Sequence, residues 1–168
     1  FTWAVTLAGG THICLRQIDP QRIFDLIRQE TVTHFCGAPI VLNMLIHAPG
    51  RPVEPFAHRV DVVTGGAAPP SIVIEQMERM GFNITHAYGL TETYGPSTLC
   101  AWQTDWDALE PNAKAAKMAR QGVAMPTQHE VAVIDPVTLL PVPADGTTIG
   151  EIAVRGNTVM KGYLKNEK

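Results

Sequence analysis

Cysteine is scarce in these 168 residues and poorly placed for chemistry: Cys14, Cys36 and Cys100 are odd in number, far apart and never in a C-x-x-C arrangement. That pattern excludes a disulfide framework and offers no zinc site; it fits a reducing compartment, the cytoplasm. No apolar run approaches the roughly 20 residues that cross a bilayer, and no basic segment precedes Phe1-Thr2-Trp3, so neither a transmembrane span nor a signal peptide is expected. Positive charge is thin as well. The 13 Lys and Arg against 16 Asp and Glu leave a formal charge of -3, and no basic cluster offers a footprint for nucleic acid or an anionic membrane surface. A G-x-S-x-G nucleophile turn is missing, which counts against a hydrolase of the α/β type. His12, His47, His58 and His129 show no pairing pattern, and His34 with Cys36 lacks a further metal ligand nearby. Partners are therefore expected among small molecules.

What is present is an ordinary globular composition, 45% hydrophobic and 17% charged, sufficient for a sizeable core. The organising stretch is His86-Ala87-Tyr88-Gly89-Leu90-Thr91-Glu92-Thr93. Asn83 to Tyr88 reads as a strand, Gly89 lets the backbone turn, and a ring, a hydroxyl and a carboxylate follow within a few positions. A second unit precedes it: the strand Val60 to Thr64, the small-residue turn Gly65-Gly66-Ala67-Ala68-Pro69-Pro70, and a helix from Ser71 to about Met80, stopped by Gly81. If the two strands are parallel neighbours, both turns open at one edge of the sheet, where open α/β sheets bind ligands.

Elsewhere Asp19-Pro20 starts a helix whose apolar face is Ile23, Phe24, Leu26 and Ile27. A strand is expected over Val32 to Cys36, then a helix from Pro39 to about Ala48 and a proline-rich loop from Pro49 to Pro55. Residues 1–15 suggest the tail of a buried helix followed by a strand near His12 to Leu15. Pro96 to Trp102 reads as an extended exit, and Ala113 to Gln121 as a helix. From Glu130 the pattern alternates, with Ile149 to Arg155 alternating again after the turn Asp145-Gly146, as antiparallel strands of a barrel-like or hairpin subdomain do. The fold class is thus α/β, with a parallel-sheet part over 1–103 and a connecting helix plus β-rich part over 104–168.

Thr64-Gly65-Gly66-Ala67-Ala68-Pro69 followed by His86-Ala87-Tyr88-Gly89-Leu90-Thr91-Glu92, with Gly150-Glu151-Ile152-Ala153-Val154-Arg155-Gly156 and Met160-Lys161-Gly162-Tyr163-Leu164, resembles the adenylate-forming acyl-CoA ligases. One glycine turn alone is a weak signal; the ordered set is a specific one. The resemblance implies ATP-dependent activation of a carboxylic acid to an acyl-adenylate, then transfer to coenzyme A with release of AMP. It implies Glu92 as the Mg2+-holding carboxylate and Thr91 as the α-phosphate contact, both catalytic. It places ATP or AMP against Gly66, Ala67, Ala68, Pro69, His86, Ala87, Tyr88, Gly89 and Thr91, with Tyr88 on the adenine face, and the acid along Gly65, Gly66, Gly89 and Leu90. Arg155 and Gly156 are expected to be scaffold, and His86 to orient the turn through a hydrogen bond.

Segments around Leu15-Arg16, Phe35 to Pro39 and Cys100 to Gln103 are similar to the branch acting on short and medium fatty acids, and the same resemblance leaves room for a homodimer. The family's phosphate loop, ribose-binding aspartate and C-terminal lysine are not in the sequence. The chain is thus expected to be an internal piece of the large N-terminal domain, unable to complete adenylation alone. The competing reading is a non-catalytic nucleotide-binding or structural module.

Overall fold

The computed structural model describes residues 2–166. Its centre is a five-stranded sheet in the order β1-β2-β3-β4-β5, formed by His34–Cys36, Val60–Thr64, Phe82–Leu90, Gly95–Leu99 and Val123–Ala124. β1, β2 and β3 are parallel, while β4 and β5 add antiparallel pairs. The parallel connections are made by helices, as they must be.

Helix α1 spans Thr2–Leu7, α2 Pro20–Gln29, α3 Pro39–Ile46, α4 Ser71–Arg79 and α5 Pro111–Met118. α2 begins where the sequence indicates: the Asp19 carboxylate accepts from the Gln21 and Arg22 amides, and Pro20 occupies the first turn, where its missing N–H costs nothing. Ile23, Phe24 and Ile27 of α2, Leu42, Leu45 and Ile46 of α3, and Val73, Ile74 and Met77 of α4 close over Val60, Val62, Phe82 and Ile84. The core therefore lies on one face of the sheet. On the opposite face Asp61, Val63, Asn83 and Thr85 are half-buried, and His34 and Cys36 are exposed.

Several expectations are corrected. α1 buries no residue, with Trp3 85% and Leu7 91% exposed, so it is not the tail of a buried helix. Residues 12–15 form no strand; a strand needs a partner, and none pairs with this segment among the described residues. The exit expected at Pro96 is instead β4, paired to β3 through a register shift between Tyr88 and Gly89; proline is tolerated at such an irregularity.

α5 starts at Pro111 and ends earlier than expected, because the carbonyls of Arg120 and Gln121 accept hydrogen bonds from His86 and Thr98. α5 adds Ala115 and Met118 to the core, and β5 belongs to the main sheet. The division expected at 103/104 stays a proposal, and beyond β5 the architecture changes. There, β6 (Glu130–Ile134) and β7 (Glu151–Arg155) form a two-stranded antiparallel sheet, with a lone bridge from Ile134 to Pro141.

Candidate functional site

The parallel register sets Thr64 beside His86, so the turns after β2 and β3 emerge at the same edge, and the first of them lies against β3. A Cβ on Gly65 would sit 2.6 Å from the Ala87 carbonyl oxygen, so the side-chain-free backbone there is a packing requirement. Gly66 differs: its φ of +85° favours glycine, and nothing lies within 4 Å of its Cβ position. An open cleft of about 650 Å3 lies along this edge, lined by Gly65, Gly66, Ala87, Gly89, Leu90 and Thr91, by Cys36, Gly37 and Ala38 from the turn after β1, and by Val63, Thr64, Gly95 and Pro96.

Strand alternation divides the residues on β3 between two faces. His86 and Tyr88 project to the helix-bearing face with Thr64, and Ala87 to the other face with Val63. The hydrogen bonds agree. The His86 ring, 2% exposed, donates from Nδ1 to the Arg120 carbonyl at 2.9 Å, and Thr98, the neighbour of Tyr88 on β4, donates to the Gln121 carbonyl at 2.6 Å. The turn 66–69 leads into α4 on that same side, with Ala67 and Ala68 exposed and Pro69 buried. Of the residues singled out from sequence, Ala67, Ala68, Pro69, His86, Tyr88 and Glu92 lie off the cleft wall, while Gly65, Gly66, Ala87, Gly89, Leu90 and Thr91 form it.

Gly89 owes its identity to the sheet. A Cβ there would fall 2.1 Å from the Gly95 carbonyl oxygen and 2.7 Å from Pro96 Cα, so only glycine lets β4 approach at the register shift. Beyond it Thr91–Thr93 make a single 3₁₀ turn. Thr93, which the sequence reading passed over, secures that turn: its hydroxyl accepts from the Leu90 amide at 3.0 Å and faces the carbonyls of Leu90 and Gly95 at 3.0 and 2.9 Å. With Thr93 serving as the cap, Thr91 is left exposed, and its hydroxyl has no hydrogen bond among the described residues.

Glu92 is half-buried and held from the far end of the chain. The Tyr163 hydroxyl donates to its Oε1, and the Met160 amide donates to its backbone carbonyl at 2.8 Å. The Tyr163 bond, followed by Glu92's own amide, holds the carboxyl below the usual carboxylate range, and the same contact raises the Tyr163 phenol. No group of three or more His, Cys, Asp or Glu among the described residues could hold a metal by itself. Arg155 pairs with Glu130 at 2.8 Å, and Gly156 packs against Gln128.

The cleft also contains residues that sequence reasoning did not assign to it. Cys36, Gly37 and Ala38 follow a strand and precede a proline-started helix, the same small-residue turn as at 64–71, and that repeated form was the available signal. Cys36 is exposed and free; burial of its thiol still pushes its pKa up, so it stays protonated near neutrality. Thr64 is completely buried with its hydroxyl unpaired. No helix among the described residues is long and apolar enough to cross a membrane.

The family of AMP-binding enzymes matches residues 1–164. An acetate–CoA ligase of Humulus lupulus is 51% identical over 100% of this chain and 30% of its own length. A peroxisomal acetate/butyrate–CoA ligase of Arabidopsis thaliana is 51% identical over 99% of this chain and 29% of its own. Among solved structures, an ATP-bound RpMatB-BxBclM chimera superposes with a TM-score of 0.78 at 26% identity, covering 98% of this chain and 30% of that one. The chain thus spans about three tenths of the length of the curated relatives it matches.

Proposed function

Because the chain belongs to the AMP-binding enzyme family, we propose that the protein carrying it activates a short aliphatic carboxylic acid with ATP and passes the acyl group to coenzyme A. The carboxylate attacks the α-phosphate, forming a mixed anhydride with AMP and expelling pyrophosphate; the thiol of coenzyme A then displaces AMP to give the thioester. The observation that supports this reading is the turn after β2 lying against β3, with Gly65 backing onto the Ala87 carbonyl, so that both segments border one cleft.

On the helix-bearing side, Tyr88 offers its ring to the purine, with the turn Gly66-Ala67-Ala68-Pro69 opposite. His86, donating from Nδ1 to a carbonyl that can only accept, is left with an acceptor at Nε2 when neutral. Thr91 directs a hydroxyl with no competing partner toward the α-phosphate. On the other side Gly65, Gly66, Gly89 and Leu90 border the acyl group, where the lack of bulk admits a non-polar chain; the names of the relatives, acetate and butyrate ligases, support a short one.

The donor set fits Mg2+, which takes one or two protein carboxylates and fills its remaining positions with phosphate oxygens and water. Glu92 is that carboxylate, kept ionised by its hydrogen bonds, and the bound cation neutralises charge on the phosphates. The chain by itself is not expected to complete adenylation. A homodimer of the complete protein is part of the same reading and is checked by light scattering. The free thiols support the cytoplasm, and the peroxisomal relative supplies the competing address, which fractionation decides.

The decisive experiment is acid-dependent ATP–pyrophosphate exchange by the complete protein across a panel from acetate to octanoate. Exchange with the short acids is expected; nucleotide binding without exchange for any acid favours the non-catalytic module instead.

A further inference from the structure

Glu92 and Tyr163 are 71 positions apart, yet their side chains are hydrogen-bonded. The bond forms because the segment after β7 crosses back over the 3₁₀ turn, fixed there by the Met160 amide on the Glu92 carbonyl. We propose that Tyr163 is a positioning residue for the Glu92 carboxylate: its hydroxyl fixes one carboxylate oxygen so that the other faces the metal–nucleotide. This rests on the role given to Glu92 above.

A glutamate on a turn has rotatable bonds on both sides of its methylenes, and freezing them costs entropy when a ligand arrives. An ionised carboxylate has room for about four hydrogen-bond or metal contacts, so one phenol donor restricts rotation and leaves the second oxygen open. Tyr163 has little other structural work, since its side chain is 59% exposed. The phenylalanine variant keeps the ring and removes only the donor.

The test uses the complete protein as wild type, Tyr163→Phe and Glu92→Gln. Mn2+ binding is followed by electron paramagnetic resonance with a non-hydrolysable ATP analogue, alongside nucleotide affinity without metal and thermal midpoint. Tyr163→Phe is expected to weaken metal binding about tenfold, the lower end of what loss of a ligand's supporting hydrogen bond costs. Metal-free nucleotide affinity should be unchanged, and exchange activity should recover at high metal. Unchanged metal affinity, with or without a fall in thermal midpoint, overturns the proposal, and tighter metal binding does so by showing that the phenol competes with the cation. Glu92→Gln separates the two levels. If it leaves metal binding intact, the role of Glu92 fails and this inference with it; if it weakens binding while Tyr163→Phe does not, only the inference about Tyr163 fails.

Discussion

Gly89→Ala tests whether the sheet or the ligand dictates glycine at the turn. The added methyl carbon would meet the Gly95 carbonyl oxygen at 2.1 Å, where ordinary contact begins at 3.4 Å, so about 1.3 Å must be found by moving backbone. No flexible side chain can absorb it, because the other close atoms are Gly95 C and Pro96 Cα. Overpacking of this kind costs about 1–3 kcal/mol, and the reduced freedom of the unfolded chain returns only about 0.4–1 kcal/mol. A net loss of about 1.3 kcal/mol, confined to the β3–β4 pairing, is expected. The probe is hydrogen exchange at the Cys100 amide, which bonds the His86 carbonyl at 2.8 Å; about 1.3 kcal/mol corresponds to about ninefold faster opening. Gly66→Ala is the control, since it meets no atom within 4 Å and suffers only the strain of φ +85°. Exchange at Cys100 within twofold of the parent in Gly89→Ala refutes the packing argument.

Three further outcomes are expected of the complete protein. Glu92→Gln keeps the fold, because the side chain is only half-buried, and lowers pyrophosphate exchange at least tenfold; exchange equal to the parent's removes Glu92 from the site. Thr64→Val deletes a fully buried, unpaired hydroxyl at nearly constant volume, so without ligand it should gain about 1 kcal/mol, read as a higher thermal midpoint. A lower midpoint shows that the hydroxyl is satisfied. The Arg59 guanidinium, with Asn83 assisting, holds the Asp61 carboxyl below its usual range. A depressed folded pKa contributes stability above the unfolded value of about 3.9 and loses it as pH falls through the folded value. The stability deficit of Asp61→Asn should therefore be full at pH 7 and shrink below about pH 4, and a pH-independent deficit contradicts the ionic origin.

The central βαβ unit was legible because each part is written locally. Alternating residues give β2 and β3, the apolar spacing of Val73 and Met77 gives α4, and glycine marks the turn after β2, whereas Gly89, expected to turn the chain, lies inside β3. Pairing between distant segments was not legible. β4 contains Gly95 and Pro96, residues that argue against a strand when read alone, and it forms because Gly89 leaves space opposite them. The strand expected near His12 finds no partner. The motif names Gly65, Gly66, Ala87, Gly89, Leu90 and Thr91, which line the cleft, but not what supports them: Thr93 reads as one polar residue among several, and no spacing rule links Tyr163 to Glu92 or His86 to the Arg120 carbonyl.

The division of the edge into two sides follows from a period of two. On β3 the step from Tyr88 to Ala87 moves from the face carrying α4 to the opposite face, and the parallel register gives the same step from Thr64 to Val63 on β2, both of which border the cleft. On the proposed reading, the Tyr88 ring lies against the nucleotide, while Gly65, Gly66, Gly89 and Leu90 border the acid. A one-residue slip in β3 would exchange the two sets. The register shift between Tyr88 and Gly89 occurs after the alternating residues are placed, so the irregularity that admits β4 does not disturb which side each faces.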